Sequence, residues 1–151
     1  MARQFVSALT VPTSCAAGAD QTLVQIRAGV VPIIPIEWGV SFQGTNSTST
    51  PAQVKLQLQT TGGTMTQAGA GQKLNSAATA SLASYRVNAT VEPTDGAVLG
   101  SKFLTPIGGL LEKQWPLGRE IVLAPGERLS AIVTAGTGSG VTAVGHIVFE
   151  E

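Results

Sequence analysis

The chain has 151 residues and a formal net charge of zero; only 12% of its residues are charged, while 43% are hydrophobic. This length fits one domain with a single core, and low charge with ordinary apolar content excludes an intrinsically disordered chain. Because charges balance and no run of lysine or arginine occurs, the composition also argues against nucleic-acid and membrane partners.

The first twenty residues, MARQFVSALTVPTSCAAGAD, mix short apolar runs with small residues. Gln4, Ser7 and Thr10 interrupt an apolar region that is already too short for a signal peptide, so we do not expect secretion by this route. Termini of this kind stay loose unless a contact holds them. The sequence therefore predicts an N-terminal arm over residues 1–20 and a single β-sandwich domain over residues 21–151.

Alternation of apolar and polar residues dominates the chain and is typical of half-buried strands. In the clearest case Ile36, Trp38, Val40 and Phe42 share one side of an extended segment, which predicts that Trp38 is buried. Similar patterns predict strands within residues 5–11, 22–28, 54–59, 85–91, 103–107, 110–117, 129–133 and 141–149.

Turn signals separate these segments, among them EPTDG at 92–96 and APGE at 124–127. Residues 62–81 are rich in Gly, Ala, Thr and Ser, and they predict a long loop that is either an interaction segment or a plain surface loop. We expect eight to ten strands, less than about a tenth of the chain in helices, and an all-β antiparallel sandwich or jelly roll.

Side chains that could carry chemistry are few. His146 is the only imidazole, and it falls on the polar-facing side of its strand, which favours a surface role over a catalytic one. One histidine and the single Cys15 cannot build an ordinary zinc site or a disulfide. Asp20, Glu92 and Asp95 could contribute to a calcium site, but no Asp-rich binding loop occurs. We therefore expect no enzymatic activity, no catalytic residue, no metal and no cofactor.

Aromatic residues could instead stack against a sugar. Trp38 and Tyr85 lie in apolar alternating sets and are interpreted as core, whereas Trp115, followed by Pro116, is the better surface candidate. Glu37 is adjacent to Trp38 in sequence, but the two side chains are expected on opposite sheet faces.

Three segments carry a family resemblance: EWGVSFQGT at 37–45, QWPLGREIVLAPGERL at 114–129 and AVGHIVFEE at 143–151. In their order and in the length of the chain they resemble small virion structural proteins of tailed bacteriophages, from about residue 24 to the end. The resemblance implies a β-sandwich or jelly roll of the decoration or cement type, which binds the outside of a capsid and is often a trimer.

The resemblance further implies a homo-oligomer, with a trimer favoured, that contacts the major capsid protein or another virion protein. Its location would be the virion, after assembly in the cytoplasm of a bacterial host. A strand-like arm can add to a neighbour's open sheet edge, so we predict assembly contacts at Arg3, Gln4, Phe5, Val6 and Leu9. The alternative is a sugar- or receptor-binding module of a phage tail or spike.

Overall fold

A computed structural model describes residues 3–43, 46–74 and 79–151, and these residues form eleven strands and no helix. None of them therefore provides an apolar helix long enough to span a membrane. The all-β prediction is confirmed, with one strand more than the upper limit expected. The strands are β1 (Gln4–Cys15), β2 (Asp20–Arg27), β3 (Ile34–Phe42), β4 (Ala52–Gln59), β5 (Thr64–Ala70), β6 (Gln72–Lys73), β7 (Ser84–Val91), β8 (Asp95–Leu104), β9 (Leu110–Gln114), β10 (Arg128–Thr134) and β11 (Val141–Glu150).

The strands form two antiparallel sheets. The five-stranded sheet has the order β6-β1-β11-β3-β9, and the six-stranded sheet has the order β5-β7-β2-β10-β4-β8. Without β5, β6 and β7, two four-stranded sheets remain, β1-β11-β3-β9 and β2-β10-β4-β8. Among these eight strands, each strand lies in the other sheet from the one before it, except that β4 and β8 lie in the same sheet. This order of strands is the jelly-roll arrangement. β5 to β7 are thus an insertion at the midpoint of a jelly-roll sandwich.

The core lies between the two sheets because the apolar side of each alternating strand faces the other sheet. Trp38 is 3% exposed and Tyr85 is 6% exposed, which confirms that both are core residues. Along β11 buried and half-buried residues alternate without interruption, and His146 lies on the outer side as predicted. Core residues with no exposed surface include Phe5, Leu23, Val24, Ile26, Ile33, Val54, Leu129, Ala131, Val133, Ile147 and Phe149.

Register irregularities decide where simple alternation fails. Between β11 and β3, Val148 pairs with Glu37 and Phe149 pairs with Pro35, so Ile36 is an extra residue and lies half-exposed outside the core. Between Leu9 and Thr13, β1 gains two residues relative to β11, and Val11 is 69% exposed. The expected core positions of Ile36 and Val11 are therefore wrong. The single extra residue in β3 exchanges the two faces of the strand at Ile36. Val11 lies within the irregular part of β1, while Leu9 and Thr13 on either side of it stay buried.

The predicted N-terminal arm over residues 1–20 is also wrong for the residues that the structure describes. β1 runs from Gln4 to Cys15, lies between β6 and β11, and pairs with β11 along its length. Its Phe5 ring stacks on Phe149, with ring centroids 5.6 Å apart. The segment is apolar because it is a central strand of its own sandwich.

Two further segments differ from expectation. The predicted loop at 62–81 contains β5 and β6, which pair with β7 and β1; its residues 75–78 lie outside the described residues. The ten-residue strand β8 begins at Asp95, within the turn predicted at 92–96, whereas a strand was expected only from residue 103. Both segments are edge strands or pair at an edge, where little burial is available to impose a clean alternation of apolar residues.

Candidate functional site

The outer face of the five-stranded sheet carries three polar side chains in contact at its centre. Glu37 on β3 lies between Gln114 on β9 and His146 on β11. The Gln114 Nε2 donates to Glu37 Oε2 over 2.5 Å, and His146 Nε2 lies 3.1 Å from Glu37 Oε1. A Cβ atom at Gly39, the cross-strand partner of His146, would lie 2.5 Å from His146 Cε1. Glycine at this position therefore lets the imidazole lie across β3 and reach Glu37.

This arrangement favours the ionised form of Glu37. The hydrogen bond from Gln114 lowers the pKa of Glu37, and the contact with His146 lowers it further. Both side chains stay partly in water, with about a quarter of each exposed (26% for Glu37, 28% for His146). The contact therefore links a carboxylate and an imidazole of neighbouring strands across the open outer face.

A groove of about 420 Å³ runs beside Glu37 on the same side of the sheet. Trp115 forms part of its wall and is half-buried against the core. It is more exposed than Trp38 and Tyr85, as expected of the better surface candidate. The volume lies within the range usual for small-molecule sites. The remaining lining residues are Gln4, Ile34, Ile36, Gln114, Leu117, Glu120 and Glu150.

Loops cover part of the outer face of the six-stranded sheet, and polar side chains lie buried beneath them. Gln59 is 5% exposed and is the centre of this network. Its Oε1 accepts from Gln25 Nε2 at 2.7 Å and from the Ser130 hydroxyl, while its Nε2 donates to Thr22 Oγ1 at 3.2 Å. The Gln25 amide also donates to the Thr61 carbonyl over 3.1 Å. Gln25, Ser130 and Thr22 are themselves buried, so these hydrogen bonds hold Gln59 as part of a connected network.

Glu92 lies in the connection between β7 and β8, and its hydrogen bonds to Thr22 of β2 hold this connection against the outer face. Although the residue as a whole is exposed, its carboxylate accepts from the Thr22 amide at 3.0 Å and from the Thr22 hydroxyl at 2.6 Å. Burial raises the pKa of Glu92, and the hydrogen bonds from Thr22 only partly oppose this. Asp20 and Asp95 raise it further, so the three carboxylates considered for a calcium site are near neighbours.

These carboxylates are nevertheless engaged with the protein itself. Asp20 accepts from Lys55 and from the Thr134 hydroxyl, and Glu92 accepts from Thr22. Within residues 3–43, 46–74 and 79–151, no three His, Cys, Asp or Glu side chains are grouped so that they could hold a metal ion. Cys15 is buried, and burial raises the pKa of its thiol to about 12.

The five predicted assembly contacts lie together on β1 or immediately before it, but they do not form a free surface. Phe5 is 0% exposed and Leu9 is 6% exposed, so both belong to the core of their own sandwich, and their prediction as partner contacts is wrong. Arg3 pairs with Glu151, with 3.7 Å between Nη2 and Oε2, and Gln4 donates to Glu150 over 2.8 Å. Val6 is half-buried on the outer face.

The buried network was missed by sequence reasoning. Gln25, Gln57 and Gln59 occupy the polar positions of alternating strands, and such positions are ordinarily read as water-facing. The one available signal was their chemistry, since these positions hold neutral amides, which can be satisfied in the interior, beside only a few charged residues. The closing loops that bury them could not be placed from the sequence.

The fold and these surfaces define a jelly-roll β-sandwich with one open outer face and one outer face that loops partly cover. Comparison with protein-family models, with curated proteins and with solved structures found no match to this chain.

Proposed function

We propose that the chain is a virion structural protein that decorates and stabilises a bacteriophage capsid as a homo-oligomer. Jelly rolls serve as capsid and lectin domains, among others, so the fold is compatible with this role without selecting it. The low charge content suits a protein whose surfaces pack against neighbours. The order of sequence segments that resembles small phage virion proteins supplies the prior for this assignment.

The observation that carries the proposal is an apolar side of the sandwich. β8 and β9 are edge strands of the two sheets and are joined by the short connection 105–109. Most residues of β8 are exposed, and among its large apolar side chains Leu104 alone packs against the core. Large exposed apolar residues on this side are Val98, Leu99, Phe103, Ile107 and Leu110. Grouped apolar exposure of this kind marks interaction surfaces.

A second copy of the chain is the occupant that this proposal assigns to the β8–β9 side. β8 has two register shifts against β4, and such bulges hinder regular pairing of a further strand. Contact between copies therefore occurs through side chains. The trimer implied by the family resemblance is the assembly that we propose, because closed rings avoid open-ended growth.

Light scattering coupled to size-exclusion chromatography tests the subunit contact. Phe103 is 68% exposed, and Phe103→Ser should shift the chain from oligomer to monomer. Val30 is 79% exposed and does not lie on the β8–β9 side, so Val30→Ser should leave the oligomer unchanged. A wild-type chain that remains monomeric, or two variants with equal behaviour, would contradict the contact.

Copy number in the particle tests the role itself. In virions assembled from a genome that encodes this chain, quantitative mass spectrometry should count about as many copies as there are capsid-lattice positions, since a decorating protein follows the lattice symmetry. A handful of copies would instead indicate a tail or spike component, and complete absence from the particle would overturn the virion assignment.

A sugar- or receptor-binding module remains the second candidate because of the groove beside Glu37. The groove combines the Trp115 ring with carboxylates and amides, which is the mixture of apolar wall and polar groups that small ligands require. Glycan-array binding that is lost in Trp115→Ala and kept in Phe103→Ala would favour this candidate. Absence of glycan binding by the intact chain would remove it.

A further inference from the structure

Three arginines lie together on the outer face of the six-stranded sheet. Arg86, Arg27 and Arg128 belong to the adjacent strands β7, β2 and β10. The strand residues next to them, Tyr85 and Val87, Ile26, and Leu129, are buried, so the three arginines lie on the outer face. Arg27 is the direct cross-strand partner of Arg128, and Arg86 is the partner of Gln25, two residues before Arg27. Directly opposite and diagonal partners in a sheet lie within side-chain reach of one another. We refer to the three residues as the arginine cluster.

No carboxylate of the described residues neutralises this cluster. The ion pairs found in the described part of the chain are Arg3–Glu151, Lys55–Asp20 and Glu37–His146, and none involves the cluster. Arg86 and Arg128 donate only to loop carbonyls, those of Gly62, Gly63, Thr60 and Gly126.

The mutual repulsion within the cluster is visible in its electrostatics. Burial lowers the pKa of Arg128, and the charges of Arg27 and Arg86 lower it further. Like charges directly opposite each other destabilise a sheet. A chain with as many acidic as basic residues thus concentrates three cations on one sheet face, where each would gain from an added anion.

A cavity of about 430 Å³ adjoins the cluster at Arg128. Leu58, Ala97 and Pro125 give it an apolar wall, and Arg128 borders it. Glu127 also lines it, and its carboxylate accepts from the Ala124 amide at 2.7 Å. The site therefore offers guanidinium groups next to a small apolar recess, so a matching ligand would carry an anionic group and an apolar group side by side.

We propose that the arginine cluster binds carboxylate side chains of a protein partner, with the adjoining cavity receiving a neighbouring apolar side chain of that partner. Guanidinium groups match carboxylates with two parallel hydrogen bonds. Nucleic acid is disfavoured, because its affinity grows with the number of phosphates neutralised, and three cations on a neutral chain neutralise few. The partner's identity as a capsid protein rests on the proposed function, whereas the carboxylate chemistry does not.

Binding of a hexaglutamate peptide, measured by isothermal titration calorimetry on the intact chain, tests the site. The double variant Arg27→Gln/Arg128→Gln should weaken binding by about tenfold or more, as loss of desolvated charge pairs does. Arg119→Gln is the matched control, because Arg119 is an exposed arginine in the connection between β9 and β10. Binding should also weaken between about 50 and about 300 mM salt, since the screening length falls over this range.

Arg27→Gln alone separates binding from folding. Arg27 is exposed and lies opposite Arg128, so this variant should keep or raise the wild-type unfolding midpoint while it weakens peptide binding. Equal peptide affinity in wild type, double variant and control would overturn the site, as would no binding by the wild type. Equal or tighter binding of inorganic phosphate or of a single-stranded oligonucleotide would overturn the carboxylate assignment.

The peptide-binding experiment and the count of copies in the particle test the two proposals independently. If the peptide binds through the cluster but the chain is absent from virions, the capsid role is wrong and the site stands. If virions contain many copies but the peptide does not bind, the site is wrong and the capsid role stands.

Discussion

The two outer sheet faces of this sandwich use polar residues in opposite ways. On the five-stranded sheet, Glu37 and His146 meet at 3.1 Å with about a quarter of each side chain in water. On the six-stranded sheet, Gln59 and its partners are almost completely buried under loops. Polar groups on an open face stabilise little because water competes for them, whereas buried polar groups are costly to leave unpaired. Whether a loop covers a polar side chain therefore decides its contribution to the free energy of unfolding more than its place in an alternating pattern does.

The largest loss of stability is expected from a substitution on the core side of the five-stranded sheet, not on its open outer face. Trp38 and Glu37 are adjacent on β3, but Trp38 is 3% exposed and points into the core. Trp38→Ala should lower the free energy of unfolding by about 3–5 kcal/mol, as truncation of a large buried side chain does. Urea denaturation followed by circular dichroism measures this. Glu37→Gln on the same strand serves as control, with a loss of less than about 1 kcal/mol; similar losses in both would contradict the two-faced strand.

The stability of the sandwich should depend strongly on Gln59, the central amide under the loops of the six-stranded sheet. Gln59→Leu leaves the amide of Gln25 and the hydroxyl of Ser130 without their acceptor and Thr22 without a donor. We expect a loss of about 2–3 kcal/mol, because buried groups left unpaired cost the full desolvation penalty. On the open face Gln114→Leu should cost much less. Equal denaturation midpoints for the two variants would show that the buried network has no special weight.

The two faces should also titrate with opposite sign. The pKa of Glu37 is lowered in the folded state, so its stabilisation is present above the ordinary glutamate pKa of about 4.3 and is lost as pH falls through the folded value. The pKa of Glu92 is raised, so its contribution is fully present below about 4.3 and is lost as pH rises through the folded value.

Unfolding free energies of Glu37→Gln and Glu92→Gln across pH 3 to 8 measure this difference. Relative to wild type, Glu92→Gln should gain stability as pH rises, and Glu37→Gln should lose stability over the same range. A shared sign for both variants would refute the contrast between the faces.

The smallest effect concerns the glycine beneath the imidazole. A Cβ at Gly39 would collide with the movable ring of His146, so Gly39→Ala should displace the ring and cost about 1 kcal/mol. Gly100→Ala is the control, since a Cβ at Gly100 meets no atom within 4 Å. The imidazole signals of His146 in a nuclear magnetic resonance spectrum should shift in the first variant only. Unshifted signals in Gly39→Ala would place the ring elsewhere.

The sequence by itself determined the fold class and the central strands. Alternation across 36–42 and 141–149 placed Trp38 inside and His146 outside, because residues two apart on a strand must share a face and water excludes apolar groups from one of the two. It also showed how few groups could perform chemistry. These conclusions depend only on local geometry and composition, which the sequence contains completely.

Tertiary structure alone decided the rest. The register irregularities at Ile36 and between Leu9 and Thr13 arise where β3 and β1 pair with β11, and the segment at 4–15 is a central strand because it pairs with β11. Gln59 became interior and the arginine cluster became a cluster only when the order β7-β2-β10-β4 brought distant segments side by side. Pairing between segments far apart in the chain is set by the free energy of the whole packed core, and no local pattern encodes it.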